Sequence, residues 1–421
     1  MVATRRSHYI AAMSESTRAP EQRLRPFAGF PEELVSEILL RLPPKSILRC
    51  RAVCKDWRHI TSDGAFLLAH HRRQPPRRLL SFVRDVGPRR DLDYCIETLD
   101  LHTNQLRSVV RFTDSGLSHY DDSPFKVYAA CDGLLLMSYY TRLHLWNPAT
   151  RQWCSAYPPA LQHDTIMGLY AHGCSHSSRE YRVLYYRSIG VAPTFYVNTV
   201  GTENERVIWP ETSSRSVTQW LQREPLNLRL DKPCLFSNNL HWPPCSTLLK
   251  CLLVFDTVAE VFQWLQGPTE LGHMTWLLEM EGTLAISSSN IGGSEVDLWL
   301  LQDYKSAMWV HKYRIKLPVL EIRRFEPEFI SPEGDVLVDE DGETDADWFS
   351  QVVSPEGDVL VDVGGFLLHY DIKGNMLQKF HCDGRMLNFT THILQESLVP
   401  HTFFRTQEDG NVEEPPFFRW L

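Results

Sequence analysis

Apolar residues in the first quarter of the chain recur at helical spacing. Leu34, Ile38, Leu39 and Leu42 fall on one face of a short helix that opens near Pro31, with Glu32 and Glu33 suiting its positive end. Pro43-Pro44 stops that helix and starts a second, in which Ile47, Leu48 and Val53 are the apolar positions. Cys54 to Ile60 predicts a third, broken at Ser62-Asp63-Gly64. Three helices in some 45 residues bury little by themselves and need another surface to cover them. Next, His70-His71-Arg-Arg-Gln-Pro-Pro-Arg-Arg78 is poor in apolar residues. It reads as a solvated helix end leading into a basic linker over 72–90.

Beyond residue 90 the pattern changes to short β-prone runs separated by turn clusters. One unit recurs: an apolar strand, an Asp or Asn, five turn-like residues, then a large apolar residue opening a return strand. It appears as Leu99-Asp100 to Leu106, Trp146-Asn147 to Trp153, Phe255-Asp256 to Phe262 and Tyr370-Asp371 to Leu377. Asp303 to Trp309 keeps the spacing, although Gln302 interrupts the apolar run, and Asn198 is a looser case. The Asp or Asn opens a hairpin by bonding its own backbone. The anchors at 100, 147, 198, 256, 303 and 371 lie 47, 51, 58, 47 and 68 residues apart. The last interval contains a duplication, because Ser331–Asp339 recurs letter for letter at Ser354–Asp362, a shift of 23. Without it the interval is 45, and all five approach the roughly 40–50 residues of a four-stranded propeller blade. The expected fold class is therefore α+β in separate domains: a three-helix module, then an all-β propeller of about six blades. A pair of β-sandwiches is the alternative. Closure of the ring is expected to set the segment around Phe389 beside a strand from residues 94–112. The other reading of 381–421 is a loose tail. Either copy of the duplicated Val-Leu-Val is expected to serve as the same strand.

Charge separates the two parts. Residues 1–90 hold 18 Lys+Arg and 8 Asp+Glu, a net of +10, whereas residues 91–421 hold 25 and 44, a net of −19. The contrast points to modules with different partners. The arginines are scattered and not interleaved with aromatics, so an acidic protein partner fits at least as well as nucleic acid, and no nucleic acid is expected. No apolar run reaches the length of a membrane span, and Met1 to Met13 lacks the apolar core of a secretory signal. Ten cysteines without a C-x-x-C pair are expected to be reduced thiols, placing the protein in the cytoplasm or nucleus.

The run Phe30-Pro-Glu-Glu-Leu34, Ile38-Leu39, Arg41-Leu-Pro43, Lys45-Ser46, Leu48-Arg49, Arg51, Val53-Cys-Lys55, Trp57-Arg58, Ile60, continued by Asp63 and Phe66, resembles the F-box as plant F-box proteins write it. Cys131-Asp-Gly-Leu-Leu135, Leu145-Trp-Asn-Pro-Ala-Thr-Arg151, Val296-Asp-Leu-Trp299 and Trp309-Val310 resemble their F-box-associated domain. The N-terminal segment, without an apolar stretch, reads as a disordered tail over 1–26, and the resemblance implies an F-box over 27–71 and a substrate-recognition domain over 91–421. It further implies a subunit of a Skp–cullin–F-box ubiquitin ligase. Pro31, Leu34, Ile38, Leu39, Leu42, Pro43, Leu48, Val53 and Trp57 would dock on the Skp-type adaptor, which bridges to the cullin, while the β domain holds a protein target. The alternatives are an F-box scaffold outside any ligase and a propeller enzyme.

Enzyme chemistry finds little footing. G-x-S-x-G, Walker A, G-x-G-x-x-G and H-E-x-x-H motifs are all missing from the sequence, so no catalytic residue and no cofactor is expected. His172-x-Cys174-x-His176 has no fourth ligand nearby and reads as a loop. The acids from Glu333 to Asp347 do not follow the EF-hand order and read as a solvated segment, so no metal site is expected.

Overall fold

The computed structural model describes residues 31–85, 92–114, 125–140, 142–156, 164–173, 179–187, 194–208, 233–244, 250–290, 292–325 and 348–404. The expected tail at 1–26, the first copy of the duplicated peptide and the acidic run lie outside them.

The helical module has four helices rather than three. α1 spans Glu32–Leu39, α2 Pro44–Cys50, α3 Lys55–Ile60 and α4 Gly64–Arg73. Pro31 and Pro43 are the N-caps of α1 and α2, and Pro44 opens α2 as expected. Their fixed φ and missing N–H suit the boundary itself. Cys54 caps α3 through its sulfur, which accepts from Trp57 N at 3.4 Å. Asp63, expected to break the chain, instead starts α4 by accepting from Phe66 N at 2.9 Å. Val53 falls in the turn after α2, not on that helix.

The rest forms six four-stranded antiparallel sheets. The first blade comprises β4 (Phe125–Cys131), β5 (Leu134–Tyr139), β6 (Arg142–Asn147) and β7 (Gln152–Ser155). The second has β8 (Asp164–His172), β9 (Glu180–Arg187), β10 (Thr194–Thr199) and β11 (Glu205–Ile208). The third has β12 (Cys234–Phe236), β13 (Asn239–Trp242), β14 (Cys251–Asp256) and β15 (Val261–Gln266). The fourth has β16 (Met274–Met280), β17 (Thr283–Ser289), β18 (Glu295–Asp303) and β19 (Met308–Lys316), followed by the short helix α5 (Val319–Arg323). The fifth has β20 (Phe349–Val352), β21 (Val359–Asp362), β22 (Phe366–Tyr370) and β23 (Met376–His381). The sixth joins both ends of the domain, in the order β24 (Met386–Leu394), β1 (Arg77–Asp85), β2 (Leu92–Asp100) and β3 (Gln105–Asp114).

Strand alternation builds the ring. Along β5, Leu134 and Leu136 enter the core shared with the second blade, while Leu135 and Met137 enter the core shared with the sixth. Both faces are buried, so the strand reads as an unbroken apolar run. Each of the six blade-to-blade interfaces has its own apolar cluster of this kind. A sandwich would have one core between two sheets, so the alternative is excluded.

All six anchors occupy the same place, the turn between the third and fourth strand of a blade. Asp100 Oδ1 accepts from His102 N and Thr103 N at 3.1 and 3.2 Å; Asn147 and Asp256 repeat this with the backbone two and three residues on. Left-handed residues then close the hairpins, including Asn104, Arg151, Glu260 and Ala307. Asn198 departs from the set: its Nδ2 donates to Thr202 O and Asn204 O across a longer turn. At Asp371 the register shifts so that Tyr370 pairs with Met376, leaving Leu377 exposed and not paired as expected.

Two expectations are corrected. The stretch read as a linker supplies β1, so 77–85 belongs to the propeller. Closure is made by β24 on β1, with Phe389 opposite Leu80, not on a strand from 94–112. The second copy of the duplicated peptide supplies β21 through Val359–Asp362, with β20 at Phe349–Val352 just before it, while the first copy, and with it the expected equivalence of the two, lies outside the described residues.

Candidate functional site

α1 is amphipathic in a way that leaves work undone. Val35 and Leu39 point inward, while Leu34 and Ile38, one turn apart on the other side, are 51% and 55% exposed. Val53 is 55% exposed, and Pro31 and Pro43 are exposed as well. Leu42, Leu48 and Trp57 are half-buried, packed against the helical module's core of Ile47, Cys50, Ile60, Phe66 and Leu67. Leu39 differs from the other eight expected docking residues. At 1% exposure it is core and has no surface to offer a partner.

Glu37 ties α1 to α4. Arg73 donates to both of its carboxylate oxygens, at 2.8 and 3.0 Å, and this bonding holds the Glu37 carboxyl below its usual range. The pair keeps the exposed face of α1 in register with the end of α4.

The second half of the site is a strap formed by residues 395–404, which runs from the end of β24 across the helices. Leu398, 2% exposed, joins the helical module's core, and Val399 and Ala149 pack beside it. His71 Nδ1 and the Glu396 carbonyl lie 3.0 Å apart, and Gln395 Nε2 donates to Gln74 O at 2.9 Å. Asn147 Nδ2 donates to Ser397 O at 3.0 Å while its Oδ1 shapes its own turn, so one anchor performs both tasks. Gly133 has φ near +82°, and a Cβ there would stand 2.5 Å from Ser397 Cβ and 2.8 Å from Gln395 O. Only glycine lets the strap lie this close to the first blade. Farther along, His401 and Phe403 meet the Tyr181 ring edge-on at 5.1 and 5.9 Å.

His70 is the largest departure from expectation. It is fully buried rather than solvated, and its Nε2–H donates to Leu42 O at 2.8 Å, with burial pulling its pKa down. A neutral imidazole thereby satisfies the carbonyl left free where α1 ends. The roles of His71 and the strap are not legible in the sequence, because nothing in their local pattern marks a contact more than 300 residues away, and His70 reaches back 28 residues to a carbonyl that no local pattern marks either. The other metal candidate is likewise accounted for where it is described. His172 closes β8, its Nδ1 2.9 Å from Thr257 O, while Cys174 and His176 lie outside the described residues. Among the described residues no group of three or more His, Cys, Asp or Glu could hold a metal ion, and no helix is long and apolar enough to cross a membrane.

Fold and site together define a six-bladed propeller bearing a clamped helical module with an uncovered apolar face. Comparison with known proteins agrees. An F-box domain profile matches residues 27–67, and an F-box associated beta propeller domain profile matches 89–395. Relatives in Arabidopsis thaliana include F-box protein At5g49610, 25% identical over 67% of this chain and 77% of its own length. F-box protein CPR1 is 23% identical over 69% and 74%, and F-box/kelch-repeat protein At3g23880 is 23% identical over 66% and 76%. The chain belongs to the plant-type F-box proteins with an associated β-propeller domain.

Proposed function

We propose that this chain is the non-catalytic substrate-recognition subunit of a Skp–cullin–F-box ubiquitin ligase, acting in the cytoplasm or nucleus. The F-box docks on the Skp-type adaptor and through it on cullin. The propeller binds a protein target. The observation that carries the reading is the exposed apolar stripe of Leu34 and Ile38, with Val53, on a module whose remaining apolar residues are already used. Burying the half of each side chain still in water contributes about 1 kcal/mol per residue, and several such residues together make a usable hot spot. Pro31, Leu42, Pro43, Leu48 and Trp57 form the rim and support of the same face. Leu39 supports it from below.

No reactive group is required in such a subunit. A target held on the propeller meets a charged conjugating enzyme at high effective concentration, and proximity supplies the rate. The strap matters here because a module held by Leu398, Gln395 and Asn147 presents its target in a fixed direction.

The test is co-purification with the adaptor. Ile38→Asp places a charge in the docking face and is expected to weaken adaptor binding by roughly thirtyfold or more, the effect of losing about 2 kcal/mol. The melting temperature should stay near wild type. Undiminished binding by Ile38→Asp would sink the docking assignment. Full-length and F-box-deleted chains, captured with the proteasome blocked, then separate a ligase subunit from a scaffold. Cullin and ubiquitinated partners should accompany only the full chain.

A further inference from the structure

The innermost strands β4, β8, β12, β16 and β24 face a chamber of about 430 Å³ on the axis of the ring. It reaches the turns of Gly133 and Gly282 and the side chain of Gln395, on the side where the helical module sits. Leu169, Leu240 and Leu278 line it, and its volume is that of a small-molecule site. Pro76 stands just before β1 and Gln395 just after β24, and both form part of the wall. An occupant therefore touches the joints by which the F-box is attached.

Equivalent strands fill the wall with different chemistry. β4, β12 and β16 each turn into the next strand through a two-residue hairpin, Asp132-Gly133, Ser237-Asn238 and Glu281-Gly282. The non-glycine residues of these turns are left-handed, as such tight hairpins require. Counting back from the turns places Ala130, Leu235 and Glu279 at one station, and all three line the chamber. Two strands put an apolar side chain there, whereas β16 puts a carboxylate. Blade packing does not require it. Glu279 is exposed while Leu277, Leu278 and Met280 around it are buried, so the chamber is the space it faces.

The other two carboxylates of the wall are already answered. Asp132 Oδ2 accepts from Arg179 at 2.6 Å and from the Tyr181 hydroxyl at 3.0 Å, and Glu281 pairs with Lys312 at 3.3 Å. Glu279 has no ion pair among the described residues, and burial raises its pKa with no cation to offset the rise. No Lys or Arg stands among the described residues of the wall. The buried cation of β1, Arg78, donates to Gln351 at 3.3 Å and is not one of them. Burial first, and the Glu279 charge second, push the Cys234 thiol of the wall up to about 12, so that thiol is neutral and shares its surroundings with Glu279. One negative charge is left over in a space walled by leucine.

We propose that this axial chamber binds a small organic cation, an ammonium group on a short apolar body, with the charge at Glu279 and the body against Leu169, Leu240 and Leu278. The ammonium donates to the carboxylate in a charge-assisted bond, and the leucines cover the hydrocarbon. A neutral alcohol of the same length gains only the second of these, and a carboxylate of that length meets a like charge. The site is independent of adaptor docking, since it uses no residue of the exposed F-box face.

The experiment measures affinity by saturation-transfer NMR on the full chain, co-expressed with its adaptor, at neutral pH and fixed ionic strength. The probes are hexylammonium, hexanol and hexanoate. Hexylammonium should bind roughly tenfold or more tightly than hexanol, and hexanoate should be the weakest of the three. Glu279→Gln, at an exposed position, keeps the fold and should bring hexylammonium down to the level of hexanol. Ala130→Leu places bulk in the chamber and spares the carboxylate, and it should weaken hexylammonium by roughly tenfold. Should Ala130→Leu fail to fold, Glu279→Gln and the order of the three probes still decide. Hexanol or hexanoate matching hexylammonium on the wild-type chain overturns the proposal. So does Glu279→Gln leaving the ammonium's affinity unchanged. Full affinity in a folded Ala130→Leu overturns it too, because the cation would then sit on the carboxylate outside the chamber.

Discussion

The fifth strand of the propeller and the first helix of the F-box use the same residue types differently. Leu134, Leu135, Leu136 and Met137 on β5 are all 0% exposed, because a blade inside a ring has a neighbour on each face. On α1, Leu39 is equally buried, yet Ile38 beside it is 55% exposed. Among the described residues, a module of four short helices packs against the strap and Ala149 of the first blade, and leaves another of its faces in water. Closed architecture leaves few apolar positions unfilled, whereas the helical module carries its incompleteness to the surface as a binding face.

The comparison breaks most severely if the ring opens. Truncation at Gly384 removes β24 and the strap together, exposing the edge of β1 and the apolar faces of the first and fifth blades. Aggregation or rapid limited proteolysis is expected, and a soluble, resistant product would count against closure by this strand.

Adjacent residues on α1 sharpen the contrast between core and face. Leu39→Asp buries an unpaired carboxylate, costing on the order of 3–5 kcal/mol, and should unfold the helical module. Loss of Trp57 environment in fluorescence and of adaptor binding would appear together. Ile38→Asp should lose the adaptor while remaining within about 1 kcal/mol of wild-type stability. If both variants behave alike, the division of α1 into two faces is wrong.

Leu398→Ala tests the strap. Removing a buried leucine from the F-box core costs about 2–3 kcal/mol. Hydrogen exchange should quicken through α1 to α4 and remain unchanged in the strands of the third and fourth blades. Uniform acceleration would mean that the strap supports the whole molecule.

Two smaller effects lie wholly within the propeller. Burial raises the Asp362 carboxyl from 3.8 to about 6, opposed by its bond from Gly364 N. The folded state therefore holds this proton more tightly than the unfolded state, and stability falls as pH rises from about 4 through about 6. Asp362→Asn keeps an acceptor for Gly364 and should flatten that slope, adding on the order of 1–2 kcal/mol at neutral pH. Unfolding in denaturant at a series of pH values reads both. Asp256→Ala removes two turn bonds and should cost about 1 kcal/mol, measured the same way. A null result there would show that the left-handed Glu260 holds the hairpin without its anchor.

What can be read along the chain is local. A turn residue bonds to the backbone two or three positions on, and apolar residues alternate within a few positions, so the six hairpins and the period of the blades are legible in the sequence alone. The first three F-box helices are legible for the same reason. The fourth is not, because Ser62-Asp63-Gly64 breaks one helix and caps the next with the same residues. Nor does the sequence show which strand closes the ring, since β24 pairs with whichever edge the fold leaves open. That edge is β1, in a stretch whose prolines and arginines read as a linker. Spacing cannot separate Leu39 from Ile38 either, because both satisfy a helical period. Packing against Ile47, Cys50, Ile60, Phe66 and Leu67 of the other helices and against Leu398, more than 350 residues along the chain, decides which of the two faces is covered. Local chemistry thus determined the elements, and long-range burial decided how they join and which apolar surface is left for a partner.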